Sequence, residues 1–250
     1  MKRVQLEPAW VLSVRPYRET SALVEAFTQR HGRVGLVARG ARSARARLRG
    51  FLQPFQPLLL SWSEGGELGT LTGAEAGGAP VALRGEAVFS GWYVNELVLR
   101  LLARGDPHSQ LFAHYAEALG ALGGANAAAG VIEKTQGPPA LAHGAAAALR
   151  LFEKNLLGEL GYGLQLPEPV ERDRWYAWDA EDGLRLAEPG PSAYRGASLQ
   201  ALAAETLDTD ESLRDARRLM RAALKPHLGD RALRTPELLR ALRAGVRGQR

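Results

Sequence analysis

Trp10-Val-Leu-Ser-Val-Arg15, Leu23-Val-Glu-Ala-Phe27 and Val34-Gly-Leu-Val-Ala38 decide how the first third of this chain folds. Trp10, Leu12 and Val14 alternate with Val11, Ser13 and Arg15, and Leu23, Glu25 and Phe27 with Val24 and Ala26; Val34, Leu36 and Ala38 repeat the pattern after Gly32. A period of two belongs to a β-strand, whose successive side chains point to opposite faces. Gln56–Trp62 and Glu67–Thr72 add two more such runs around Gly65-Gly66, making five short strands. Such a set suits a small Greek-key barrel of the OB type, and an SH3-like barrel fits the same pattern.

From Val88 the apolar period becomes helical, with Trp92, Tyr93, Leu97, Leu101 and Leu102 along one face up to Gly105-Asp-Pro107. Further helices are expected over 109–122 and about 140–160, the latter stopped by Gly161 as the C′ residue. A Gly/Ala-rich connection is expected over 123–139. Residues 162–197 lose periodicity around Pro167, Pro169, Pro189 and Pro191, with one small hairpin expected across Asp182-Gly183. Helices resume over 198–205, 210–228 (kinked or ended by Pro226) and 236–244, the last with Thr235 as N-cap and Pro236 at N1. The expectation is an α+β protein. Residues 1–80 form a small β-barrel, residues 81–250 a helical domain, and residues 162–197 a small irregular insert within it, lacking zinc.

The 250 residues contain no cysteine, which excludes disulfides, thiolate nucleophiles, iron–sulfur clusters and cysteine-held zinc, and fits a reducing compartment. No apolar stretch approaches the ~18 residues of a membrane span. The N-terminus lacks the apolar core of a signal peptide, so a cytoplasmic location is expected. The formal charge of +5 is a remainder: residues 1–80 are +5, residues 81–160 are −1, residues 161–210 are −6 and residues 211–250 are +7. Between Glu25 and Glu64 lie 38 positions without an acid and with seven arginines: Arg30, Arg33, Arg39, Arg42, Arg45, Arg47 and Arg49. Surfaces normally mix signs, so a long single-sign stretch points to a polyanion such as nucleic acid. Gly40–Gly50, with little but Leu48 to bury, is expected to be a mobile loop whose arginines follow a phosphate backbone. A second basic stripe, Arg214, Arg217, Arg218, Arg221 and Lys225, runs along the 210–228 helix with only Asp215 diluting it. It reads equally as a ligand face or as the wet side of an amphipathic helix.

No catalytic constellation emerges. The five histidines form no metal pair, Gly32-Arg-Val-Gly35 is not a phosphate loop, and no Gly-x-Ser-x-Gly elbow occurs. Asp208, Asp210 and Glu211 precede a helix, where capping and the helix dipole explain them. Turn chemistry accounts for Asp173, Asp179, Glu181 and Asp182. No cofactor and no enzymatic activity are expected.

Several blocks, in order from about residue 8 to 245, carry a resemblance. They are Val14-Arg-Pro-Tyr-Arg-Glu-Thr-Ser21, Phe27-Thr-Gln-Arg-His-Gly-Arg-Val34, Leu36-Val-Ala-Arg-Gly-Ala-Arg-Ser43 and Leu52-Gln-Pro-Phe-Gln-Pro-Leu-Leu-Leu60. Gly91-Trp-Tyr-Val-Asn-Glu-Leu97, Leu149-Arg-Leu-Phe-Glu153, Leu160-Gly-Tyr-Gly163, Ala223-Leu-Lys-Pro-His-Leu-Gly229 and Leu233-Arg-Thr-Pro-Glu-Leu-Leu239 follow. Together they resemble the RecO family of bacterial recombination mediators. The resemblance implies an OB-fold and a helical domain, binding of single- and double-stranded DNA, and annealing of complementary strands. It also implies partnership with RecR in loading RecA onto DNA coated by single-strand-binding protein, with that protein's acidic C-terminal tail docked on the helical domain. Some family members hold zinc with four cysteines after the Leu-Gly-Tyr-Gly block; this chain departs from them there, and Trp175, Tyr176 and Trp178 are expected to hold the insert by packing.

On this basis Arg15, Arg18, Arg33, Arg39, Arg42, Arg45, Arg47 and Arg49 are expected to contact DNA. Arg150, Phe152, Arg221 and Lys225 are expected to receive the partner tail, cations for carboxylates and an apolar cleft for its terminal ring. A generic OB-fold module for RNA or tRNA, and less favoured a metal-dependent nuclease, are the alternatives.

Overall fold

The computed structural model describes residues 2–43, 47–124, 144–229 and 233–238. The chain divides into two compact units, Met1–Thr135 with Leu233–Arg250, and Gln136–Ala232.

In the first unit, β1 (Arg3–Tyr17), β2 (Ser21–Thr28), β3 (Gly32–Ala38), β4 (Pro57–Ser63) and β5 (Gly69–Ala76) close a barrel in the order β1-β2-β3-β5-β4. Only β3 and β5 run parallel. This five-stranded closure is OB-like. Val11, Val24, Ala26, Leu36, Leu58, Leu60 and Trp62 fill the interior. Small alanines at positions 9, 22, 26, 38 and 74 let so narrow a barrel close.

The outer face of β1 and β2 is also buried. Helices α1 (Glu86–Leu101) and α2 (Ser109–Gly123) pack on it. Trp10 meets Tyr115 at 5.7 Å, and Phe27 meets Phe112 and Tyr115 at 5.5 and 5.8 Å, tilted or edge-on as aromatic quadrupoles prefer. The β region therefore ends near Ala76, whereas the compact unit continues through α2. The buried face of α1 is Gly91, Val94, Asn95, Leu97 and Val98. Trp92, expected on the inward face, instead remains 38% exposed against the edge of Phe55.

One buried polar link ties these layers. The β1–β2 register shifts between Val11 and Ser13, leaving the Leu12 carbonyl outside the ladder. Asn95 Nδ2 donates to it at 3.0 Å, and Tyr115 Oη donates to Asn95 Oδ1 at 2.5 Å. Burial pushes the Tyr115 phenol well above its ordinary pKa, so it stays a donor. Asn95→Leu removes the donor to the Leu12 carbonyl and this acceptor of the Tyr115 hydroxyl in a dry core, and is expected to lower stability by about 2 kcal/mol. Urea unfolding checks this; a midpoint unchanged from the wild type contradicts it.

Arg234 and Thr235 open a short helical turn, but Thr235 is not its cap. Their backbone N–H groups donate to the Glu96 carboxylate at 2.8 and 3.0 Å, and the Thr235 hydroxyl does so at 2.9 Å. A carboxylate from α1 satisfies the orphan amides. The helix expected over 236–244 otherwise lies outside the described residues, as does most of the 123–139 connection.

The second unit contains α3 (Gly144–Glu159), a three-stranded sheet, α4 (Gly196–Ala203) and α5 (Asp210–Leu228). The sheet has the order β7-β6-β8, from β6 (Trp175–Asp179), β7 (Gly183–Ala187) and β8 (Ala193–Arg195). The expected hairpin exists, and β8 makes the insert more regular than its prolines suggest. Tyr176 is buried and accepts the Glu171 N–H at 2.8 Å, while Arg195 lies over Trp175 at 5.1 Å. Among the described residues no group of three or more His, Cys, Asp or Glu comes together to hold a metal ion. Gly161, at φ 81°, follows α3 as expected. Thr209 caps α5 through a capping box with Ser212, and the helix continues two residues past Pro226.

Candidate nucleic-acid interface

The acid-free character of residues 26–63 is a property of the sequence that the fold partly cancels. Glu7, fully buried, accepts the Arg30 N–H at 2.7 Å and Arg30 Nε at 2.8 Å, and pairs with Arg30 Nη2 at 2.6 Å. Glu25, also buried, pairs with Arg104 and lies 3.8 Å from Arg33 Nη1. Arg33 Nη1 also donates to the Leu99 carbonyl at 2.9 Å. Burial lowers the Arg33 pKa from its ordinary value, with Glu25 opposing and Arg104 adding to the effect; the hydrogen bond from Arg104 to Glu25 raises that of Arg104. Arg30 and Arg33 thus fasten the barrel to itself and to the α1–α2 connection. Arg33, expected to contact DNA, is occupied by that structural role: its guanidinium is engaged inside the fold.

Four expected residues come together at one end of the β1-β2-β3 sheet. In register, Arg15 pairs with Leu23 and Leu23 with Val37; Tyr17 pairs with Ser21; Ala22 pairs with Ala38, and Arg39 follows. Ala22 and Ala38 face the barrel core. Alternation then turns the flanking positions, Arg15, Tyr17 and Arg39, to the outer face. Arg15, Arg18, Arg39 and Arg42 are all exposed. Glu19 is the acid of this turn, so the local charge is strongly positive.

Gly40–Ser43 is not a free loop. The Arg42 N–H donates to Thr20 O at 2.9 Å, and Arg42 Nη1 donates to the carbonyls of Arg18 and Glu19 at 3.2 and 3.3 Å. Ala41 is buried. A 3₁₀ turn follows at Arg47–Gly50, with Leu48 and Phe51 packed against the barrel core, as the single apolar residue of the run requires. Arg45, and the side chains of Arg47 and Arg49, lie outside the described residues.

Sequence reasoning missed Tyr17. It stands between Arg15 and Arg18, and Arg18 Cζ lies over its ring at 5.3 Å. Its signal was visible as an aromatic residue between arginines, the composition of a nucleic-acid surface.

In the second unit, Arg214, Arg217, Arg221 and Lys225 are exposed along α5. Arg218 leaves the stripe: it pairs with Asp215 at 3.1 Å, donates to the carbonyls of Ala193 and Pro191, and lies over Tyr194 at 4.8 Å. Arg150 pairs with buried Glu153 at 2.8 Å and is itself only 12% exposed, and Phe152 lies in the core. The four expected tail-binding residues therefore split into an α3 pair, half-buried Arg150 and buried Phe152, and an exposed α5 pair, on helices that pack together.

No helix among the described residues is long and apolar enough to cross a membrane. A family model for the N-terminal part of recombination protein O matches residues 1–78. The DNA repair protein RecO of Nitrosococcus oceani is 46% identical over 252 residues, covering 96% of this chain and 95% of its own. The protein of the same name from Alkalilimnicola ehrlichii is 44% identical over 250 residues, covering 96% and 92%. That of Coxiella burnetii is 42% identical over 246 residues, covering 95% and 99%. With an OB-like barrel, four exposed arginines gathered at one end of it, and relatives matching along nearly the whole chain, the protein belongs to the RecO family of DNA repair proteins.

Proposed function

We propose that this protein is a recombination mediator without catalytic chemistry of its own. It binds single- and double-stranded DNA, anneals complementary strands, and works with RecR to help load RecA onto DNA coated by single-strand-binding protein. The observation that supports this reading best is the convergence of Arg15, Arg18, Arg39 and Arg42 at one barrel end. Annealing makes and breaks no covalent bond; it needs two polyanions held close while their repulsion is screened. Guanidinium groups suit this, since they bind phosphate through several donors and stack on bases. The exposed α5 cations Arg221 and Lys225 offer partners for the carboxylates of an acidic protein tail, and Arg150 and Phe152 stand on α3, the helix that packs against α5. The cell compartment is the cytoplasm, at the nucleoid.

The test uses complementary DNA strands precoated with single-strand-binding protein. The full chain is expected to anneal them without added metal and to leave both strands intact. Strand cleavage, or annealing no faster than without the protein, overturns the reading.

A further inference from the structure

Arg18 is a non-glycine residue in the left-handed region, at φ 54°. Such a position favours Gly or Asn. Its guanidinium lies over Tyr17, 5.3 Å from the ring centroid. The turn that imposes this backbone is held from outside: Arg42 Nη1 donates to the carbonyls of both Arg18 and Glu19, and the Arg42 N–H donates to Thr20. The result is a cation over an aromatic ring, at the tip of β1–β2 and at the same end of the sheet as the outward cations Arg15 and Arg39.

Phosphate contacts alone do not distinguish bases from bare backbone, whereas a stacked π-surface does. We infer that Tyr17 and Arg18 form a base-stacking platform for an unpaired nucleotide of single-stranded DNA, and that Arg42 is a positioning residue that holds it. The inference rests on the proposal that this barrel end binds DNA. The bases of a duplex already stack on each other, so the platform favours an unpaired strand over a paired one. Glu19, the carboxylate of the same turn, repels phosphate, and leaves Arg15 and Arg39 to carry the backbone beside the stacked base.

The experiment measures binding of the full chain, by fluorescence anisotropy, to oligothymidylate and to an abasic oligodeoxynucleotide of the same length. The wild type is expected to prefer oligothymidylate by about tenfold, in line with the stacking energy of one base. Tyr17→Leu, Arg18→Lys and Arg42→Ala are each expected to erase most of that preference. Arg39→Ala, which removes only a phosphate contact, is expected to weaken both strands equally. Equal wild-type binding to the two strands overturns the platform and leaves the arginine edge standing. Failure to bind either strand overturns the DNA-binding proposal itself, and the platform with it.

Discussion

Replacing Arg15, Arg18, Arg39 and Arg42 together by Ala is expected to weaken binding to single-stranded DNA roughly 200-fold at physiological salt. Each phosphate contact on a single strand releases about 0.7 of a counterion, worth about 0.8 kcal/mol near 0.15 M salt, so the contacts of Arg15 and Arg39, with about 1.4 kcal/mol for the stacking of one base that Arg18 and Arg42 support, amount to about 3 kcal/mol. The dependence of affinity on salt should flatten in step, by roughly 0.7 in logarithmic slope for each arginine that no longer meets a phosphate. The four side chains are exposed, and the Arg42 guanidinium donates to two turn carbonyls at the surface, so the fold should survive their removal. Two comparisons sharpen the result. Arg33→Lys should leave the slope unchanged, because its guanidinium already serves Leu99 and Glu25. Replacing Arg214, Arg217, Arg221 and Lys225 by Ala tests the other exposed stripe. An anisotropy titration that finds the weakening there, and none at the barrel end, contradicts the assignment.

Gly32→Ala is expected to cost about 3 kcal/mol of stability, or roughly 10 °C in Tm. Gly32 sits at φ +61°, and a Cβ there would lie 1.8 Å from the Asp106 carbonyl oxygen. Backbone meets backbone at that point, so no side-chain rotation relieves the clash. The left-handed conformation alone accounts for about 1–2 kcal/mol. The rest comes from displacing the α1–α2 connection, where the Gly105 N–H donates to Arg33 O at 2.9 Å. Gly40 is the control. Its φ is +65°, but nothing lies within 4 Å of a Cβ there. Gly40→Ala should therefore lose only the conformational part. Equal losses at both glycines, by calorimetry or denaturant, contradict the close approach as the reason for Gly32.

The five strands and the main helices were legible because their periods are local. The faces were not. Trp10, Val11 and Leu12 are all buried, since β1 has the barrel core on one side and α1 and α2 on the other. Alternation carries no preference when both faces are dry. Trp92 was misplaced because a helix face is chosen by what packs on it, and Asn95, polar but committed to Leu12 and Tyr115, took the inward position. The third insert strand, Ala193–Arg195, is too short at three residues to show any period.

The arginine surface was half legible. The run was visible, but which members are free depends on Glu7 and Glu25, partners that only the barrel closure brings to Arg30 and Arg33. The same holds on α5, where Asp215, read as diluting the stripe, is turned inward and takes Arg218 out of it. Arg150 and Phe152 looked available because an amphipathic helix reads the same whether its apolar side meets a partner or the protein's own core.

Backbone hydrogen exchange of the full chain, with and without saturating single-stranded DNA, tests the central claim most directly. Binding at the barrel end is expected to slow exchange over Arg15–Thr20 and Ala38–Ser43, the two stretches that carry the exposed arginines. Protection confined to the second unit, with those two stretches unchanged, would contradict the account.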